Sequence, residues 1–255
     1  MGTVISLTIP ALAREPSSAA DGPRPAEDEL AAATAVVERL FTELDGRFSL
    51  YRSDSEASRL ARGELALAHA SADMRARYGD AAGWRLLTDG AFTPARPDGV
   101  LDLSGLIKGY AVKEAGTSLK ALGLNHWCLN AGGDVLVSGS PRPGSDDAWL
   151  AGVVDPEDRK TLLAGFPIGG GRTRCSLATS GSAERGDHIW GVGSTTADFR
   201  QVSVAAADVV TADVLATAIV AGGLPMLDRA TQEWDVDVLA VRRDGGLLAT
   251  PGFRT

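Results

Sequence analysis

Two cysteines, Cys128 and Cys175, are all that the chain holds in 255 residues. Each stands among apolar neighbours with no second Cys or His at ligand spacing. That argues against a zinc site or a disulfide framework and for two buried thiols. Lysine is also scarce, with Lys108, Lys113, Lys120 and Lys160 set against 21 arginines. Positive charge is short overall: 25 Lys and Arg face 33 Asp and Glu, a net charge of −8. With no basic patch to offset it, such a surface repels phosphate backbones, so nucleic acid is not an expected partner. Residues 1–30 lack a basic segment followed by an apolar one, and no lipobox Cys is present, so no export signal is expected. The most apolar stretch, residues 202–224, carries Asp208 and Asp213. A bilayer span would have to bury both carboxylates, so the stretch reads as a core segment and no transmembrane segment is expected. Repeats and long linkers are absent too. What is present is ordinary: 44% apolar and 23% charged residues, a globular balance on a chain long enough for a sizeable core.

Residues 1–10 alternate polar positions with Ile5, Leu7 and Ile9 and read as a strand, interrupted by Pro10. Residues 14–27, rich in Pro, Ser, Ala and Asp, read as a flexible surface loop. Over 28–45, Leu30, Thr34, Val37, Leu40, Phe41 and Leu44 fall at three- and four-residue steps, which predicts a helix. A turn and short helix are expected over 53–61 with Ser55 as cap, and an amphipathic helix over 71–88 through Met74, Tyr78, Ala81 and Leu86. Two prolines and a glycine make 91–102 a loop. Residues 103–122 read as a helix opened by Ser104-Gly105 and closed by Gly123. Strand, turn and strand follow over 127–137, then strands at 149–154 and 201–206. Between those two strands, 177–189 is a Ser/Thr/Gly-rich turn flanked by short strands. A helix over 211–222 runs into Gly222-Gly223. Residues 234–242 and 247–250 pair as a hairpin across Asp244-Gly245-Gly246. Strands mostly adjoin strands, so an α+β class is expected in place of a doubly wound parallel sheet, as one unit over 1–255.

Four constellations carry chemistry. In Asp102-Leu103-Ser104-Gly105-Leu106-Ile107-Lys108, an acidic residue precedes a helix start, whose backbone N–H groups can hold an anion with Lys108 one turn on. An Asp cap followed by a solvated Lys is the plainer alternative, and the P-loop order is absent. In Asn130-Ala131-Gly132-Gly133-Asp134 the paired glycines permit either close approach to a ligand or simply a tight hairpin turn. Ala178-Thr179-Ser180-Gly181, followed by Glu184-Arg185 and His188, can line a planar ligand, although a lone His is as readily structural. In Thr211-Ala212-Asp213-Val214-Leu215-Ala216-Thr217, Asp213 and Thr217 share one helix face. That face is otherwise apolar, and a carboxylate there needs a partner or a metal. Carboxylate and hydroxyl oxygens suit a hard cation such as Mg²⁺ that completes its shell with phosphate and water. The alternative is that Thr211 or Asp213 merely caps the helix.

The order of these segments is more specific than any one of them. Met1-Gly2-Thr3, Phe48-Ser49-Leu50-Tyr51 and Ser55-Glu56-Ala57-Ser58 come first. Asp102 to Tyr110, the Asn130–Asp134 turn, Ala178-Thr179-Ser180-Gly181 with His188-Ile189, and Thr211-Ala212-Asp213 to Thr217 follow. So ordered, the chain resembles the ApbE family, the FAD:protein FMN transferases, over nearly its whole length. The resemblance implies an ApbE-like, T-fold-like architecture of mixed sheets with flanking helices. It also implies a reaction: FAD is cleaved with Mg²⁺, FMN is joined by a phosphoester bond to a Thr or Ser of an acceptor protein, and AMP is released. By similarity, Asp213, Thr217 and the Gly105 carbonyl are the Mg²⁺ ligands. Met1, Tyr51, Thr93, Asp102, Lys108 and Ile189 match FAD-lining positions. His188 and Lys108 are the catalytic candidates, His188 as base for the acceptor hydroxyl and Lys108 as a charge beside the phosphates.

The chain departs from the family after His188-Ile189, where Trp190-Gly191-Val192-Gly193 stands in place of the usual Asp-Pro-x-Thr-Gly. Two alternatives therefore stand beside the transferase: an FAD-binding protein without turnover, and a Mg²⁺-dependent FAD pyrophosphatase giving FMN and AMP. Many family members are lipoproteins outside the cytoplasmic membrane. This sequence, lacking an export signal, is expected in the cytoplasm unless a leader has been trimmed from it.

Overall fold

The computed structural model describes residues 3–10, 25–181 and 198–253. In chain order these form β1 (Ile5–Thr8), α1 (Pro25–Phe48), α2 (Glu56–Ala61), α3 (Ala72–Leu87) and α4 (Ser104–Ala121). There follow β2 (Trp127–Ala131), β3 (Asp134–Ser138), β4 (Trp149–Val154), β5 (Leu162–Ile168), β6 (Ser176–Gly181) and β7 (Phe199–Ala206). Helix α5 (Val209–Glu233) and strands β8 (Asp237–Arg242) and β9 (Leu247–Ala249) complete the fold. The class is α+β, as the strand-beside-strand order implies.

The main sheet has seven strands in the order β1-β2-β3-β6-β7-β8-β9, every pairing antiparallel. Its central strands are buried on both faces, which explains their nearly continuous apolar sequences. Ala178, Val204 and Val238 point to the helical side, while their chain neighbours Leu177, Ala205 and Leu239 point to the other. On the helical side α4 and α5 pack on each other and on the sheet. On the far side the β4–β5 ribbon covers it through Ala151, Val153, Phe166 and Ile168. Strand β5 is not legible from sequence: Pro167 and Gly165 interrupt its pattern. Proline is tolerated there because the ribbon has only two strands and so leaves each an open edge.

Helix α1 begins at Pro25, inside the stretch expected as loop; proline suits a first turn, where an N–H would have no partner. Residues 11–24 lie outside the described part. Ser55 caps α2 as expected: its Oγ accepts the Ser58 N–H at 3.0 Å and donates to the Ser49 carbonyl at 2.6 Å. The 127–137 segment is the expected strand pair. Its two-residue turn has Gly132 at φ 59° and Gly133 at φ 93°, the left-handed pair that a type I′ hairpin requires.

Helix α5 is long and apolar enough to cross a bilayer by length and composition alone. Most of it is buried within this fold, against β6 and β7. Its cap is Asp208, not Thr211 or Asp213: Asp208 Oδ1 accepts the Thr211 N–H at 3.0 Å. Asp213 is thereby left one turn inside, with no capping role. The expected end at Gly222-Gly223 appears as a break within α5. Gly223 adopts φ 65° and ψ −153°, open only to glycine, and the helix restarts with Pro225 in its first turn. Asp198 Oδ2 accepts the Leu224 N–H at 2.9 Å and so caps the second half.

Burial works against the ionised form of Asp208, but the Lys113 ammonium at 2.6 Å and the Thr211 amide outweigh it and hold its carboxyl below the ordinary value. A depressed carboxyl stabilises the fold above its unfolded-state pKa, and that contribution is lost as pH falls through the folded value. Asp208→Ala is therefore expected to cost about 1 kcal/mol near pH 7, the worth of a helix cap. The deficit should shrink toward acid pH; thermal melts of both proteins across that range check it.

Candidate active site

The two central helices approach closely at Gly109. A Cβ at that position would stand 3.1 Å from Asp213 Oδ2 and 3.2 Å from the Val210 Cα, so only glycine lets α4 and α5 meet this closely. The Gly109 N–H donates to Asp213 Oδ2 at 3.0 Å. In an α-helix that N–H faces the carbonyl four residues back, which is Gly105. The Asp213 carboxylate thus takes the amide that regular helix geometry pairs with the Gly105 carbonyl, although 108 positions of sequence separate Asp213 from Gly105. Thr217, one turn beyond Asp213, has its Oγ1 2.9 Å from Ser180 Oγ. Asp213 thus reaches the first turns of α4, and Thr217 lies one turn along the same helix.

Lys108 is not the solvated lysine of the plainer reading. Its side chain is 9% exposed, with Nζ 2.9 Å from Asp134 Oδ2 and 3.7 Å from Asp213 Oδ1. Asp134 is wholly buried. The Lys108 ammonium approaches it closely, and the Thr179 backbone amide bears on the same carboxyl. Burial first, then the charge of Asp213, push the Asp134 carboxyl above its ordinary value, and the Lys108 ammonium draws it part of the way back. Two buried carboxylates thus share one ammonium. The cluster is short of positive charge, which is the electrostatic condition a cation relieves.

Asp134 is the residue that sequence reasoning missed as part of this site. It is visible in the Asn130–Asp134 segment, but there a tight turn accounts for the pattern without it. The turn has its own fastener, since Asn130 Oδ1 accepts the Gly133 N–H at 3.0 Å. The second acidic side chain is surplus to it, and that surplus was the available signal.

The loop before α4 lies at the same end of the helix. Asp102 Oδ1 accepts the Ser104 N–H at 2.8 Å, and the Asp102 N–H donates to the Pro94 carbonyl at 2.7 Å. Thr93 Oγ1 accepts the Ala95 N–H at 3.2 Å. The Phe92 ring lies 3.5 Å from where a Gly105 Cβ would stand. Thr93 and Asp102 are thus brought beside the α4 start. The same loop walls a cleft of about 380 Å³ lined by Leu60, Leu67, Tyr78, Val100 and Leu101 among others. Tyr51 stands apart, 89% exposed, and no polar contact ties its side chain to the cluster among the described residues. Met1, His188 and Ile189 lie outside the described residues.

The oxygen donors fit a hard divalent cation of the Mg²⁺ kind: one carboxylate, one hydroxyl and one backbone carbonyl, beside an under-compensated buried charge. Among the described residues no three His, Cys, Asp or Glu side chains are arranged to hold a metal. A cation here would depend on backbone, hydroxyl and external oxygens as much as on carboxylate.

The family model described as "ApbE family" matches residues 95–240, a span that holds Asp102, Lys108, Asp134, Asp213 and Thr217. Among solved structures, the fold is similar to the flavin transferase ApbE from Vibrio cholerae. The TM-score is 0.72 at 21% identity, covering 100% of this chain and 96% of that one. The apo flavinyl transferase ApbE of Pseudomonas stutzeri aligns at TM-score 0.70 and 20% identity over 98% and 95% of the two chains. The ApbE protein of Thermotoga maritima gives 0.70 and 18% over 92% and 93%. At these identities the likeness speaks to the fold. No curated protein sequence matches the chain significantly.

Proposed function

The chain belongs to the ApbE family, and from that premise we propose that it is an FAD:protein FMN transferase. It moves FMN from FAD to a Thr or Ser hydroxyl of an acceptor protein and releases AMP. The observation that carries this reading is the meeting of Asp213 with α4 through the Gly109 amide at 3.0 Å. It sets an oxygen-rich, cation-fitting cluster within two turns of a helix N-terminus, the combination a diphosphate requires. The names of the Vibrio and Pseudomonas relatives, flavin and flavinyl transferases, support the same reaction class.

Asp213, Thr217 and the Gly105 carbonyl would hold Mg²⁺. When bound, the ion supplies positive charge to the two phosphates across which the bond breaks. The amides at the start of α4 bind phosphate oxygens, and Lys108 adds charge from within through the buried cluster. The loop bearing Thr93 and Asp102, beside the start of α4, borders the nucleotide. In the transfer, the acceptor hydroxyl oxygen bonds to the FMN phosphorus. The bond from that phosphorus to the bridging oxygen breaks, and AMP leaves with that oxygen. The hydroxyl proton passes to a base, a role assigned to His188 by its position in the sequence motif.

The test is intact mass spectrometry of an acceptor protein co-expressed with this chain. The expected product is an FMN adduct on a Thr or Ser peptide, formed with FAD and Mg²⁺ and abolished by a chelator. AMP and FMN accumulating without adduct would identify a pyrophosphatase instead. FAD recovered unchanged after long incubation with Mg²⁺ and acceptor would identify a binding protein.

A further inference from the structure

Lys108, buried between two carboxylates, lies unequally between them. Its Nζ is 2.9 Å from Asp134 Oδ2 and 3.7 Å from Asp213 Oδ1. The three side chains come from α4, the start of β3 and α5, so their spacing is set by how the helices pack on the sheet. An ammonium that is 9% exposed cannot be solvated and must stay paired. The cation reading above asks Asp213 to be free to ligate. An ammonium closing directly onto Asp213 would compete with a divalent ion for the same oxygens. Asp134 is placed to prevent this. Beside the Thr179 backbone amide, the group that Asp134 faces is the Lys108 ammonium, and the turn is fastened by Asn130 without it.

We propose that Asp134 is a positioning residue that holds the Lys108 ammonium back from Asp213, keeping the Asp213 carboxylate available to a divalent cation. The proposal rests on the reading of Asp213 as a cation ligand. It predicts that Asp134 acts through Lys108 and never touches the ion or the reacting atoms. Once Asp134 loses its charge, Lys108 can close on Asp213 Oδ1, now 3.7 Å away, and the ion pair between them tightens at the cation's expense.

The test is a titration of the full chain with Mn²⁺ alone, followed by electron paramagnetic resonance. The signal lost in Asp213→Ala defines the site. Asp134→Asn, nearly isosteric, is expected to weaken Mn²⁺ binding at that site by about 10-fold or more, the scale on which partners of metal ligands act. The double variant Lys108→Met/Asp134→Asn should return affinity toward the wild-type value, because the competing ammonium is gone. Lys108→Met alone should bind no more weakly than wild type, which keeps the test open if Asp134→Asn folds poorly. Unchanged affinity in Asp134→Asn, or an equally weak double variant, overturns the proposal and leaves the cation reading intact. A wild-type chain whose Mn²⁺ signal is the same as that of Asp213→Ala overturns the cation reading itself, and this inference with it.

Discussion

Asp213→Ala is expected to lower flavin transfer about 10³-fold, the cost of losing a metal ligand in a phosphoryl-transfer site, while leaving a folded protein. The second half of that expectation comes from the arrangement of charges. Removing Asp213 leaves Lys108 with Asp134 at 2.9 Å, a one-to-one pair instead of an ammonium shared by two carboxylates. The Gly109 amide returns to the Gly105 carbonyl, its ordinary helical partner. Alanine is the best helix former at a buried mid-helix position. The melting temperature should therefore stay near wild type while the rate collapses. Acceptor-adduct mass spectrometry gives the rate and circular dichroism the fold. Undiminished transfer would remove Asp213 from the metal site.

Lys108→Met should behave in the opposite sense on stability. It leaves Asp134 and Asp213 buried together with no counter-charge. Breaking a buried pair from one side costs about 3–5 kcal/mol. In a domain of this size that corresponds to a fall in melting temperature of roughly 6–20 °C. The carboxyl that burial already pushes upward sets the sign of the pH dependence. Asp134 loses Lys108, which draws its carboxyl down, so it is protonated more readily in the folded variant. A carboxyl whose folded value is raised costs stability as pH climbs from its unfolded toward its folded value. The deficit of Lys108→Met should accordingly widen as pH rises beyond about 8, where the wild-type carboxyl ionises and that of the variant does not. Thermal melts on either side of that value measure this, and a pH-independent deficit would point to lost packing alone.

The features legible in the sequence were those written into local spacing. Asp213 and Thr217 share a face because they stand four apart, and Ser55 announces a cap three residues before its amide partner. Gly132-Gly133 can scarcely be anything but a tight hairpin turn. The break at Gly223 was legible as well, though as an end where the chain makes a bend. Asp198 supplies a cap from 26 residues upstream, which no local pattern encodes. The same limit hid Asp134. Its partner Lys108 lies on another element, and only the packing of α4 on the sheet brings the two charges together. Strand β5 was obscured by Pro167, because the freedom of an edge is a property of the sheet rather than of the segment.

The break in α5 also bears on what this helix ties together. Before the break, Thr217 touches Ser180 on β6; just after it, the Leu224 N–H is held by Asp198 at the foot of β7. Both contacts belong to the helix that also carries Asp213. A bulky side chain forced into position 223, where a Cβ would press on Asp198, would disturb these ties and the placement of Asp213 together. Mutational damage remote from the phosphates should then look like a fault in the chemistry.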